Sequence, residues 1–212
     1  EPFLKEGNVI RLLITQKSDE EGSKRSPATL TIKSVVATGS QSKILATLSH
    51  YGKNNKVSQS YRMEYACDSV CFYAHTTNWC YNSIDESPEY REETLGDSIV
   101  YPLGMKAGDT LKSGAALKKT ITKGGSSSLY MTIKNRKVIS LDTISTPFGK
   151  TEAFRIENTI STRAVSDFEV YGNNDDSYSY VMIEWFTPSI GVVMSEYRFG
   201  KGNSRIIMES YK

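Results

Sequence analysis

The sequence predicts a mainly β protein, an antiparallel sandwich or barrel, on three observations. Roughly ten or more strand-like segments follow one another at regular spacing, with turn residues between them. These segments are rich in β-branched and aromatic residues, and several alternate apolar and polar positions. Thirteen tyrosines against seven phenylalanines suit strands with half-wet faces, because Tyr puts a ring on the core and a hydroxyl in water.

In chain order, Asn8 to Thr15 and Ala28 to Thr38 read as strands, separated by the polar segment Gln16 to Pro27, expected to be a solvated loop. Lys43 to Tyr51 is a third strand. Gly52-Lys53-Asn54-Asn55 turns it into Lys56 to Tyr65, where Val57, Tyr61, Met63 and Tyr65 fall on one face. Asp68 to His75 reads as another strand. In Ser87-Pro88-Glu89-Tyr90-Arg91-Glu92-Glu93, a serine before proline with acids in the first turn predicts a short helix, which Gly96 ends. Tyr101 to Leu111 is a loop. Leu117 to Thr122 pairs with Leu129 to Ile133, Lys134-Asn135-Arg136 is a turn, and strands follow at Lys137 to Ser145 and Thr151 to Arg163. Asp167 to Tyr171 precedes a polar turn over Gly172 to Ser177. Tyr180 to Thr187 and Gly191 to Arg198 form a hairpin around a Pro188-Ser-Ile-Gly191 corner, and Gly200 to Asn203 leads to a last strand, Ser204 to Tyr211. No composition break divides the chain, so residues 1–212 are expected to form one domain.

At 212 residues with 38% hydrophobic and 24% charged residues, the chain can bury a sizeable core. A net charge of +2 with interspersed signs lacks the basic stripe of a nucleic-acid binder. No run approaches the ~20 apolar residues of a spanning helix. The start at Glu1-Pro2 rather than Met suggests an exported, processed form.

Chemistry-bearing groups are few. Cys67, Cys71, His75 and Cys80 contain every cysteine and one of two histidines. On a strand, Cys67 and His75 would lie ~26 Å apart, too far for one metal ion, so buried thiols are favoured and no metal or cofactor is expected. His50 and His75 lack any nucleophile-elbow signature. Glu152 with Glu157, or Glu184 with Glu196 across the corner hairpin, could form a hydrolase carboxylate pair; the plainer reading makes them outward residues that solvate the sheet. Asn173 to Asp176 lacks the ligand spacing of a calcium loop, and Gly124-Gly125 lacks the Lys-Ser/Thr of a phosphate loop. The aromatics Trp185, Phe186, Tyr197 and Phe199 are the candidate ligand-binding residues, with Trp185 and Phe186 on opposite faces by strand alternation. Core packing is their plainer role.

Three segments in order, Met105-Lys-Ala-Gly-Asp-Thr-Leu111, Thr146-Pro-Phe-Gly-Lys-Thr-Glu-Ala-Phe-Arg-Ile-Glu157 and Glu184-Trp-Phe-Thr-Pro-Ser-Ile-Gly-Val-Val193, resemble the TapB-like group of exported Gram-negative proteins of unknown function. The resemblance covers about residues 100–198 and is looser before them. It implies a curved antiparallel sheet, an open half-barrel of the LolA/LppX type, with a short helix or loop on the concave side. It also implies an extracytoplasmic location, in the periplasm or anchored to the outer membrane as a lipoprotein. It brings no catalytic residues. Gly149, Pro188 and Gly191 are then structural corner residues, by turn geometry.

The expected function is non-enzymatic: the concave face binds a lipid-like or other hydrophobic molecule. The alternative is an envelope interaction or structural module whose concavity is filled by residues 76–95, and a carboxylate-dependent hydrolase is a third. An interior with no void over the ~300 Å³ typical of ligand pockets would exclude the carrier.

Overall fold

The computed structural model describes residues 5–18, 22–52, 54–81, 89–146, 149–168, 172–199 and 202–211. Among the described residues thirteen strands form one antiparallel sheet: β1 (Val9–Ser18), β2 (Gly22–Thr38), β3 (Gln41–Tyr51), β4 (Val57–Cys67), β5 (Cys71–His75), β6 (Tyr90–Gly96), β7 (Ser98–Pro102), β8 (Gly114–Thr122), β9 (Gly125–Thr146), β10 (Gly149–Phe168), β11 (Gly172–Thr187), β12 (Gly191–Phe199) and β13 (Gly202–Tyr211). Among the described residues the helical content is a 3₁₀ turn at Thr76–Cys80, and no helix is long and apolar enough to cross a membrane.

The sheet order is β6-β8-β9-β10-β11-β12-β13-β1-β2-β3-β4-β5-β7. Its two outermost strands, β6 and β7, are consecutive in sequence with Asp97 alone between them, so the sheet curls until its ends nearly meet. The result is a barrel with one unsealed seam. At the crossing point, Thr76 N donates to Asp97 O (2.8 Å) and Asp97 N to Ala115 O (3.0 Å). The Thr76 hydroxyl lies 2.6 Å from Ala115 O and 2.9 Å from Asp97 O. Gly114 permits this approach: a Cβ there would sit 2.8 Å from both Ile99 Cγ2 and Thr76 Cγ2.

Side chains from distant strands meet inside. Phe72 on β5 and Phe186 on β11 are separated by six strands of the sheet, yet their ring centroids are 5.7 Å apart. Ile99, Ile133, Val138, Ile156, Ile160 and Met182 are fully buried around them. Each such side chain contributes about 1.5–3 kcal/mol by leaving water. A second cluster contains Ala153, Ile183, Trp185 and Val193.

The corner hairpin stands as the sequence predicts, with Val181 opposite Arg198 and Thr187 opposite Gly191. Several local expectations give way to pairing. Gln16 to Pro27 is expected as a loop, but its described residues extend β1 and β2, with Gln16 opposite Lys24. Tyr90 to Glu93 is expected as helix but lies in β6, where Tyr90 to Gly96 pairs with β8; ladder bonds along the whole segment outweigh a local helix signal. Lys134-Asn135-Arg136 does not reverse the chain: it is an irregularity inside continuous β9. Gly172 to Ser177 is the start of β11. Cys67 and Cys71 flank a hairpin turn and do not share a strand, Asp68 N donating to Cys71 O (3.0 Å). The helix start at Ser87-Pro88, residues 169–171, Pro147-Phe148 and the Gly200-Lys201 turn lie outside the described residues.

Candidate functional site

The interior holds a polar cluster within its apolar wall. Asn135 takes φ +53, and β9 slips register against β10 around Glu157/Thr159. A bulge re-aims the next side chain, and Arg136 is completely buried. Its Nε donates to Asn158 Oδ1 (3.0 Å), and its Nη1 to the carbonyls of Val100 (3.1 Å) and Lys112 (2.9 Å). The guanidinium stacks over the Tyr101 ring at 4.7 Å. These bonds bring β9 onto the carbonyl of β7, across the gap in the sheet.

Glu184, on β11, is 1% exposed. The Tyr101 hydroxyl donates to its carboxylate, 3.1 Å from each oxygen, and Asn158 Nδ2 donates to Oε2 (3.0 Å). Burial pushes the Glu184 carboxyl above its ordinary pKa, while the charge of Arg136 and the bonds from Tyr101 and Asn158 pull it back. Burial, followed by the Glu184 charge, drives the Tyr101 phenol well above its ordinary value. Phe186 stacks on Tyr101 at 4.7 Å with an interplanar angle of 12°.

Above Glu184 the interior contains a cavity of about 150 Å³, partly open to solvent. Aromatic rings of Tyr65, Phe72, Trp79, Tyr81 and Tyr197 line it, with aliphatic groups from β1–β4 and β12. The 3₁₀ turn occupies part of the interior, since Thr76, Thr77, Asn78 and Cys80 are buried. Asn78 holds it there by exchanging two hydrogen bonds with the Glu64 main chain: Glu64 N to Oδ1 (2.8 Å) and Nδ2 to Glu64 O (2.9 Å). The cavity is half the ~300 Å³ at which ligand pockets usually begin. A larger space of about 560 Å³ lies elsewhere, lined by Arg62, Glu64, Tyr73 and His75 together with the apolar Val36, Ile44 and Leu45.

Of the aromatic candidates, Tyr197 lines the cavity and Phe186 forms its buried support. Phe199 is 41% exposed, and its ring centroid lies 4.4 Å from that of Tyr180. Trp185 faces the other side, where its Nε1 donates to Asp142 Oδ2 (3.0 Å) and the Arg155 guanidinium lies 6.0 Å from its ring. Gly149 (φ +107) and Gly191 (φ +93) take backbone conformations that favour glycine but sit in two separate turns. Glu184 lies opposite Ser195, and Glu196 opposite Ile183. The two carboxylates are therefore on opposite faces and form no pair; Glu196 bonds Arg198 instead (2.8 Å).

Among the described residues Cys67, Cys71 and Cys80 form no disulfide, and burial pushes Cys80 up to about 11. Among the described residues no three His, Cys, Asp or Glu side chains come together as a metal site. His75 Nδ1 bonds Thr77 Oγ1 (2.6 Å), and His50 meets Tyr61 edge-on at 5.4 Å. Arg136, Asn158 and Tyr101 carry no sequence motif. The available signal is Glu184 itself, a lone charge inside the apolar run Tyr180 to Phe186, where both faces are apolar.

No curated protein matches the chain. Two crystal structures share its fold over 99% of its length and 97% of theirs. One is a Bacteroides fragilis protein described as inferred to be exported, with a YmcC-like fold, at 16% identity and a TM-score of 0.68. The other is a Parabacteroides distasonis protein described as an inferred lipoprotein, at 15% identity and a TM-score of 0.70. A family model described as DUF3108-like matches residues 5–206, and the chain belongs to that DUF3108-like family.

Proposed function

We propose that this is an exported, non-enzymatic envelope protein whose barrel interior takes up one small, compact molecule and not a lipid chain. The observation that carries this is the cavity of about 150 Å³, with aromatic and aliphatic walls and a single carboxyl group among them. An apolar cavity of about 150 Å³ is large enough to take up benzene, so one ring or a short branched alkyl group sets the size. Export is supported by the descriptions of the Bacteroides and Parabacteroides relatives. Glu196, the candidate partner carboxylate, lies on the face opposite Glu184, which supports a binding role over hydrolysis.

The two tryptophans supply the test. Trp79 lines the cavity, and Trp185 lies outside it with its indole bonded to Asp142. Titrating benzyl alcohol into ¹⁵N-labelled protein should move the Trp79 indole resonance saturably and leave that of Trp185 nearly fixed. Two fixed resonances up to the solubility limit would overturn the proposal.

A second reading, a structural or protein-interaction module with a self-filled interior, is favoured by the buried Thr76–Cys80 turn. It predicts those two fixed resonances.

A further inference from the structure

We infer that the molecule held in the lumen bears a positively charged amine, received by Glu184. This rests on the lumen-binding proposal and adds the chemical class of the occupant.

The first support is charge. Among the described residues that line the cavity there is no Lys, Arg or His, and Glu184 is the sole acid. An anionic occupant would meet that carboxylate with no cation in the wall to offset it. A neutral occupant would add no charge to balance it.

The second is acceptor capacity. A carboxylate offers about four lone-pair sites. Tyr101 supplies one proton shared between the two oxygens, and Asn158 bonds Oε2. Oε1 therefore retains room for another donor. Arg136 does not fill it: its bonds go to Asn158, Val100 and Lys112, and its face rests on Tyr101. The guanidinium tempers the Glu184 charge from behind the Tyr101 ring and leaves the cavity side open.

The third is the walls. Tyr65, Phe72, Trp79, Tyr81 and Tyr197 surround the space. Aromatic faces attract cations, most strongly where water is excluded. A carboxylate beneath several such rings is the arrangement that selects an ammonium group attached to a small apolar body. The raised pKa of Glu184 agrees with this, since burial disfavours its charge in the absence of a further cationic partner.

Benzylamine, protonated at neutral pH, and benzyl alcohol differ little in shape but by one charge. Their affinities, read from the Trp79 indole resonance, separate the two ideas. We expect benzylamine to bind roughly tenfold or more tightly than the alcohol, as for a charge-assisted over a neutral hydrogen bond. Glu184→Gln should remove that advantage. Equal affinities in the native protein would overturn the amine while leaving lumen binding intact, and this comparison needs no variant. A Glu184→Gln protein that folds and keeps the advantage would also overturn it. Failure of both probes to bind would overturn amine and lumen binding together.

Discussion

The Tyr101 hydroxyl lies 3.1 Å from both carboxylate oxygens of Glu184, across 83 residues of sequence. Tyr101 belongs to the outermost strand of the sheet and Glu184 to a strand deep within it. This contact therefore ties one lip of the seam to the opposite wall, and it forms the floor beneath the cavity.

A double-mutant cycle measures the tie. Tyr101→Phe and Glu184→Gln should each cost about 1–3 kcal/mol in urea unfolding, because each leaves a buried polar partner unsatisfied. Their combined cost should fall short of the sum by about 0.5–3 kcal/mol, the range for groups in one network. Simple additivity would mean that the hydroxyl and the carboxylate act independently.

Glu184 also predicts a pH dependence. Its folded pKa is raised above the ordinary 4.5, so the folded state holds the proton more tightly than the unfolded state does. Its contribution is fully present below pH 4.5 and is lost as pH rises through the folded value, levelling off above it. Stability of the native protein relative to Glu184→Gln should therefore decline across that window as pH increases. A difference that is flat, or that grows with pH, would contradict the raised pKa.

Gly191 closes the corner hairpin with φ +93, and a Cβ there would meet the Phe72 ring at 3.4 Å. Gly191→Val should lower stability by about 1–3 kcal/mol, the range for a side chain held in a sparsely populated backbone region. An unchanged melting temperature would show that the turn relaxes freely.

The legible parts of the fold were those in which local pattern and pairing agree. Tyr180 to Thr187 and Gly191 to Arg198 alternate as strands, carry their own turn residues and pair with each other. Where the two signals conflict, pairing prevails. Tyr90 to Glu93 has the acids of a helix start but lies along β8. Gln16 to Pro27 is too polar to announce a strand, because the hairpin of β1 and β2 continues past the core.

The site was less legible because bulges build it. Arg136 reads as a turn residue beside Asn135; the positive φ of Asn135 inside β9 turns it inward instead. Glu184 stood out as a carboxylate, but its partners come from β7 and β10, strands that spacing alone cannot bring to it. Trp185 drew notice for its size, yet alternation sends it to the opposite face and leaves Tyr197 to line the cavity.

The most direct test of the central proposal is a crystal of the protein soaked in benzyl alcohol. The account predicts density for one ring bounded by Trp79, Tyr197 and Glu184, with the Thr76–Cys80 turn in place. A cavity that stays free of the ring at saturating alcohol, or is closed by the protein's own side chains, would contradict it.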